Sequence, residues 1–124
     1  MLAAAKIGAF VATANAEKAR GFYEHVLGLE FVSDEPYALV FNSNGTTLRI
    51  QKVSDVSVAP YTALGWHVID IASAIGHLKT RGVEFMIIDG FGQDELGIVT
   101  FPGGAKVAWF KDPDGNTLSL DEFA

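Results

Sequence analysis

A chain of 124 residues, 49% hydrophobic and 19% charged with no low-complexity tract, is sized for one folded domain that buries roughly 70% of its unfolded surface; this excludes a disordered protein. Fifteen acidic against nine basic residues give a formal net charge of −6 and leave no Lys/Arg cluster able to neutralise phosphates, so no nucleic-acid partner is expected. With no cysteine there is no disulfide framework, thiolate nucleophile or Cys-ligated zinc, and no apolar run approaches the ~18 residues that span a bilayer; no membrane partner and a cytoplasmic location are expected.

From Lys6 to Ala12 the chain is strand-like, and Asn15 stands where an N-cap belongs, ahead of a helix predicted from Ala16 to Leu27. On that helix Ala19, Phe22, Tyr23, Val26 and Leu27 recur at three- and four-residue steps as one apolar stripe, and Gly28 fits the stop. Strands follow near Leu29–Ser33, Tyr37–Asn42 and Thr46–Val53, with Asn44-Gly45 favouring a tight hairpin between the last two. Residues 54–62 have no period and contain Pro60, so they are taken as a connector between an N-terminal unit, about 5–53, and a C-terminal unit, about 63–121, of one domain, 1–124.

The second unit repeats the order: a strand at Ala63–Ile69, a helix start at Asp70, a helix through Ala74, Ile75, Leu78 and Lys79 to Gly82, and a strand at Val83–Ile88. A Gly-rich loop at Asp89–Leu96 precedes strand character at Gly97–Thr100, a turn at Pro102-Gly103-Gly104 and a strand at Lys106–Phe110. Asp112-Pro113-Asp114-Gly115 is strong turn chemistry before a last strand at Asn116–Asp121. The repeat is visible in the letters too. Asn44-Gly45-Thr46-Thr47-Leu48-Arg49-Ile50 matches Asp114-Gly115-Asn116-Thr117-Leu118-Ser119-Leu120 at an offset of 70, and Gly28-Leu29-Glu30-Phe31 echoes Gly82-Val83-Glu84-Phe85 at an offset of 54. Two blocks in the same order point to an internal duplication, with sixteen extra residues in the later loops of the second copy.

Phe22-Tyr23 with Val26-Leu27-Gly28-Leu29, Leu78-Lys79 with Arg81-Gly82-Val83, and Lys111-Asp112-Pro113-Asp114-Gly115-Asn116 together resemble the vicinal-oxygen-chelate superfamily, the glyoxalase, fosfomycin-resistance, bleomycin-resistance and extradiol-dioxygenase group. The resemblance covers nearly the whole chain, and its motifs are turns, helix stops and core positions rather than chemistry. It implies an α+β fold: two tandem βαβββ units forming a curved, mixed or antiparallel sheet cleft with the helices on the convex side. It also implies four metal positions on the first and last strands of each unit, which fall here on Gly8, Arg49, Ala63 and Ser119. Glycine and alanine offer no side-chain donor, and Arg49 puts a permanent cation where a metal would sit, so no metal and no cofactor are expected. A two-residue shift in register would rescue one ligand, His67 or Asp121, but not a set.

Strand alternation puts Phe10 and Ala12 on the face of Gly8, Thr47 and Gln51 with Arg49, Gly65 and His67 with Ala63, and Thr117 and Asp121 with Ser119. The complementary residues Ile7, Val11, Leu48, Ile50, Leu64, Trp66, Val68, Leu118 and Leu120 are apolar, as packing under helices requires. Trp109 matches a position where fosfomycin-resistance relatives place a ligand-contacting aromatic. The expected ligand-binding residues are therefore Trp109, Arg49, Phe10, Thr47, Gln51, His67, Thr117 and Ser119. Bland readings stand beside these: Trp109 as core filling, Arg49 in an ion pair with Asp121, and His25 and His77 as solvated helix residues. No nucleophile elbow or P-loop is present.

The leading expectation is a metal-independent protein that encloses a small, partly aromatic molecule, as the bleomycin-resistance branch sequesters drugs. The alternatives are a lyase, isomerase or dioxygenase-related enzyme using His67 or Asp121 as its acid–base group, and a structural or regulatory dimer whose cleft is filled. A homodimer is expected from the resemblance, its halves paired within one chain or between two.

Overall fold

The computed structural model describes residues 1–124, and its contacts divide the chain into two units, Met1–Ser57 and Val58–Ala124. In the first, a short 3-10 turn, Leu2–Ala4, precedes strand β1, Gly8–Thr13. Helix α1, Ala16–Gly21, starts where Asn15 accepts the Lys18 backbone N–H at 3.2 Å, satisfying one of the amides that a helix start leaves without an intrahelical partner. The periodicity predicts an α-helix to Leu27. Instead Phe22–Val26 widens into a π-turn, closed by the Leu27 N–H on the Phe22 carbonyl at 2.9 Å. The widening falls where Phe22 and Tyr23 pack edge to face at 5.2 Å, Tyr23 fully buried against Phe41.

Gly28, at φ +75°, turns the chain into β2, Glu30–Asp34, followed by β3, Ala38–Ser43, and β4, Thr46–Lys52. The sheet order is β1-β4-β3-β2, with β1 parallel to β4 and the other neighbours antiparallel. Asn44 and Gly45 both take positive φ, as the expected tight hairpin demands. Val11, Leu39, Phe41, Leu48 and Ile50 are buried on the face toward Tyr23. Ile7, expected with them, is 82% exposed, because pairing begins only at Gly8.

The second unit contains β5, Leu64–His67; α2, Ile71–Lys79; β6, Val99–Thr100; β7, Lys106–Lys111; and β8, Thr117–Glu122. Its order, β5-β8-β7-β6 with β5 parallel to β8, repeats that of the first unit. The local devices repeat as well. Asp70 caps α2 by accepting the Ser73 N–H at 3.1 Å, Gly82 takes φ +91° after it, and the Glu122 carboxylate accepts the Ile71 N–H at 2.9 Å, tying the helix start to the end of β8. Before β8, Asp112 Oδ1 accepts the Asp114 and Asn116 N–H groups at 3.0 and 2.9 Å, and Oδ2 accepts the Asn116 amide at 2.8 Å, so a carboxylate only 5% exposed is fully engaged. Ile71, Ile75, Ala108, Phe110, Leu118 and Leu120 form the buried core of this unit.

The predicted strand Val83–Ile88 is not formed. Phe85 makes one bridge to Phe110, the Met86 N–H reaches the Trp109 carbonyl at 2.8 Å, and the chain then leaves. It returns at Val99, opposite Val107. Fourteen steps separate Phe85 from Val99 while three separate their partners, so eleven residues are looped out of what is otherwise one edge strand. The counterpart, β2, has a single irregularity between Phe31 and Ser33. Most of the length difference between the repeats therefore lies in this excursion. Gln93 closes its base: Oε1 accepts the Ile88 N–H at 2.6 Å, and Nε2 donates to the Met86 and Gly97 carbonyls, both at 2.8 Å. Asp94 Oδ1 accepts the Leu96 and Ile98 N–H groups, each at 2.9 Å. Gln93→Leu removes three bonds at once and is expected to cost about 1–3 kcal/mol and to accelerate amide exchange at Ile88 while β8 amides keep their protection. Unchanged exchange at Ile88 would contradict the closing role of Gln93.

Candidate functional site

Alternation along β7 turns Ala108 and Phe110 into the core and sets Val107, Trp109 and Lys111 on the opposite face. Register adds Ser119 beside Trp109 and Thr117 beside Lys111 on that face. The Trp109 indole N–H donates to the Thr62 hydroxyl at 3.2 Å, which fixes the ring's rotation. Phe91, from the excursion, meets it at 5.6 Å between centroids with planes inclined by 56°.

Between these groups lies a pocket of about 650 Å³, within the range of small-molecule sites. The sheet supplies Trp109, Lys111 and Thr117; the excursion supplies Met86, Ile88 and Phe91. Residues 58–62, expected to be connector, form a third side through Val58, Tyr61 and Thr62, and the Thr117 hydroxyl donates to the Ala59 carbonyl at 3.4 Å. All of these residues belong to the second unit.

Of the residues expected to bind a ligand, the pocket gathers Trp109 and Thr117. Ser119 is buried beside Gly65 of β5, where a Cβ on that glycine would stand 2.6 Å from its hydroxyl oxygen. His67 and Asp121 are register partners on β5 and β8 and hydrogen-bond to each other through Nδ1 and Oδ1. The His67 ring lies 4.7 Å from that of Phe123, and its side chain is 72% exposed. Neither residue lines the pocket.

Phe10, Arg49, Thr47 and Gln51 lie in the first unit. Phe10 is opposite Arg49, Thr47 opposite Gly8, and Gln51 opposite Ala12. Phe10 is 54% exposed. Arg49 does form an ion pair, but with Glu35 at 3.2 Å rather than with Asp121: Glu35 directly follows the edge strand β2 in the turn to β3, and Asp121 is taken by His67. His25 and His77 are exposed on their helices, as expected.

The donor set does not fit the metal that the fold implies. Gly8 and Ala63 carry no donor, the Arg49 guanidinium is held by a carboxylate, and the Ser119 hydroxyl is packed against Gly65. No group of three or more His, Cys, Asp or Glu side chains is placed to hold a metal ion. The pocket itself offers an aromatic face, apolar sides, neutral hydroxyls and one ammonium, a combination suited to holding a molecule.

Lys111, Phe91, Met86, Ile88, Tyr61 and Thr62 went unrecognised in the sequence. Lys111 was reachable, since two residues past Trp109 on one strand is the same face. Met86 and Ile88 fall in the stretch read as a strand, and Phe91, Tyr61 and Thr62 in segments without strand periodicity; nothing in the sequence brings any of them to Trp109.

The glyoxalase/bleomycin resistance protein/dioxygenase superfamily model matches residues 6–120. Among solved structures, the glyoxalase family protein from Enterococcus faecalis is similar at a TM-score of 0.75 and 21% identity, over 98% of this chain and 100% of that one. A member of the glyoxalase/bleomycin resistance protein/dioxygenase superfamily from Sphaerobacter thermophilus DSM 20745 gives 0.74 and 26%, over 98% and 99%. The lactoylglutathione lyase from Agrobacterium tumefaciens gives 0.73 and 16%, over 96% and 93%. No curated protein matches the chain. With the family match running over nearly the whole length and the strand order repeated in both units, the chain belongs to the glyoxalase/bleomycin resistance protein/dioxygenase superfamily.

Proposed function

We propose that this protein binds a small, partly aromatic molecule without a metal, in the pocket over Trp109. The observation that carries the reading is the indole itself. It is held by Thr62 and flanked by Phe91, shares a pocket lining with Met86 and Ile88, and still fronts open space of ligand size. A side chain that served only as core filling would be closed over by its neighbours; here residues 58–62 and the excursion touch it through Thr62 and Phe91 and leave a pocket beside it. The donor set described above supports metal independence, since a ligand reached through stacking and apolar contact needs no Lewis acid.

The protein is expected to respond to naphthalene-2-carboxamide with a change in tryptophan fluorescence, and Trp109→Phe is expected to remove most of it, because Trp66 points to the other face of its sheet alongside Leu120. Dialysis against a chelator is expected to leave the affinity unchanged. A full response in Trp109→Phe would contradict the stacking role, and affinity lost on chelation and restored by one divalent ion would contradict metal independence.

The His67–Asp121 pair favours a second reading, an enzyme that moves a proton. An aspartate on Nδ1 sets the tautomer and orientation of the ring and leaves Nε2 to act on a substrate. The reading is checked by following deuterium uptake next to the carbonyl of an aryl ketone in D2O. Uptake above the buffer rate that falls about a hundredfold in His67→Asn is the expected result for such an enzyme, and no uptake above buffer rejects it.

A further inference from the structure

The lining of the Trp109 pocket is electrostatically one-sided. Fifteen acidic residues are spread over the chain, yet none lines this pocket, and Lys111 is its single ionised side chain. Four other basic residues are engaged in ion pairs, Arg20 with Glu24, Arg49 with Glu35, Lys52 with Asp34, and Lys106 with Glu122. Lys111 makes no ion pair. The carboxylate that follows it, Asp112, is on the alternate side of the strand and spends both oxygens on its own turn.

We propose that the occupant of this pocket is a planar aromatic carboxylate whose ring lies on Trp109 and whose charge is taken by Lys111. The inference rests on the reading of the pocket as a ligand site and adds the charge of the ligand to it. Lys111 is two residues from Trp109 on one strand face, about 6.6–6.8 Å along the chain, so a molecule seated on the indole holds its substituent within reach of the ammonium. The net charge of −6 does not cancel this attraction, because distant carboxylates are screened over about 8 Å at physiological salt. Thr62 and Thr117 supply neutral hydroxyls on the same lining, so an anion meets no repelling charge there. Arg49, the cation the sequence offers for this task, already has Glu35.

Calorimetric titration with naphthalene-2-carboxylate and its neutral amide tests the assignment. The acid is expected to bind roughly three- to tenfold more tightly than the amide, the range for a solvent-accessible charge-assisted contact. Lys111→Met is expected to bring the acid to the level of the amide without changing the amide, Lys111→Arg to keep the preference, and raised salt to weaken the acid alone. Equal affinity of acid and amide for the unaltered protein, or a preference that survives Lys111→Met, overturns the charge assignment and leaves the pocket reading standing. Failure of both compounds to bind overturns the pocket reading, and the inference with it.

Discussion

Between Met86 and Val99 the chain leaves the edge of β7, and backbone groups that leave a ladder must find partners elsewhere or face water. Gln93 answers for three of them and Asp94 for two. Both side chains bond within the excursion, so the excursion holds its own shape instead of borrowing it from a sheet. Met86, Ile88 and Phe91 are thereby fixed over Trp109. Without that closure the indole would stand on a bare sheet face. With it, the face becomes one side of a pocket.

The two units show how one scaffold divides into two kinds of surface. Both share strand order, Asx-capped helices and left-handed glycines after them, and both bury the same alternate positions of their fourth strand: Leu48 and Ile50 in one, Leu118 and Leu120 in the other. They part at the edge strand. The first unit keeps it as one strand with a single irregularity and sets a Glu35–Arg49 ion pair next to it, whereas the second loops out eleven residues and puts aromatic and aliphatic groups there. At the four positions that the resemblance assigns to a metal the chain carries Gly8, Arg49, Ala63 and Ser119, of which Arg49 is in an ion pair and the Ser119 hydroxyl is packed against Gly65.

Much of this was legible in the residues because it is written in local chemistry. Asn15, Asp70, Gly28, Gly82 and Asn44-Gly45 each set a cap or turn through their own side chain or lack of one, and the match between 44–50 and 114–120 disclosed the duplication. Alternation placed Thr117 on the face of Ser119, and the resemblance, not alternation, singled out Trp109. What could not be read depends on distance in space. Nothing near Arg49 in the chain announces Glu35, which reaches it across the sheet, and nothing near His67 announces Asp121, fifty-four residues later. The apolar letters of Val83–Ile88 suit a strand; only the Gln93 bonds explain why pairing stops at Met86. Phe91, in a Gly-rich stretch with no period, gave no sign of its contact with Trp109.

The central claim is that a planar molecule lies between Trp109 and the excursion, and the chain carries its own internal comparison for testing it. Of its two methionines, Met86 lines the pocket and Met1 is fully exposed at the terminus. With 13C-labelled methionine methyls and saturating naphthalene-2-carboxylate, the account predicts a ring-current shift of the Met86 methyl and none at Met1. A Met86 resonance that does not move while the ligand binds would contradict it.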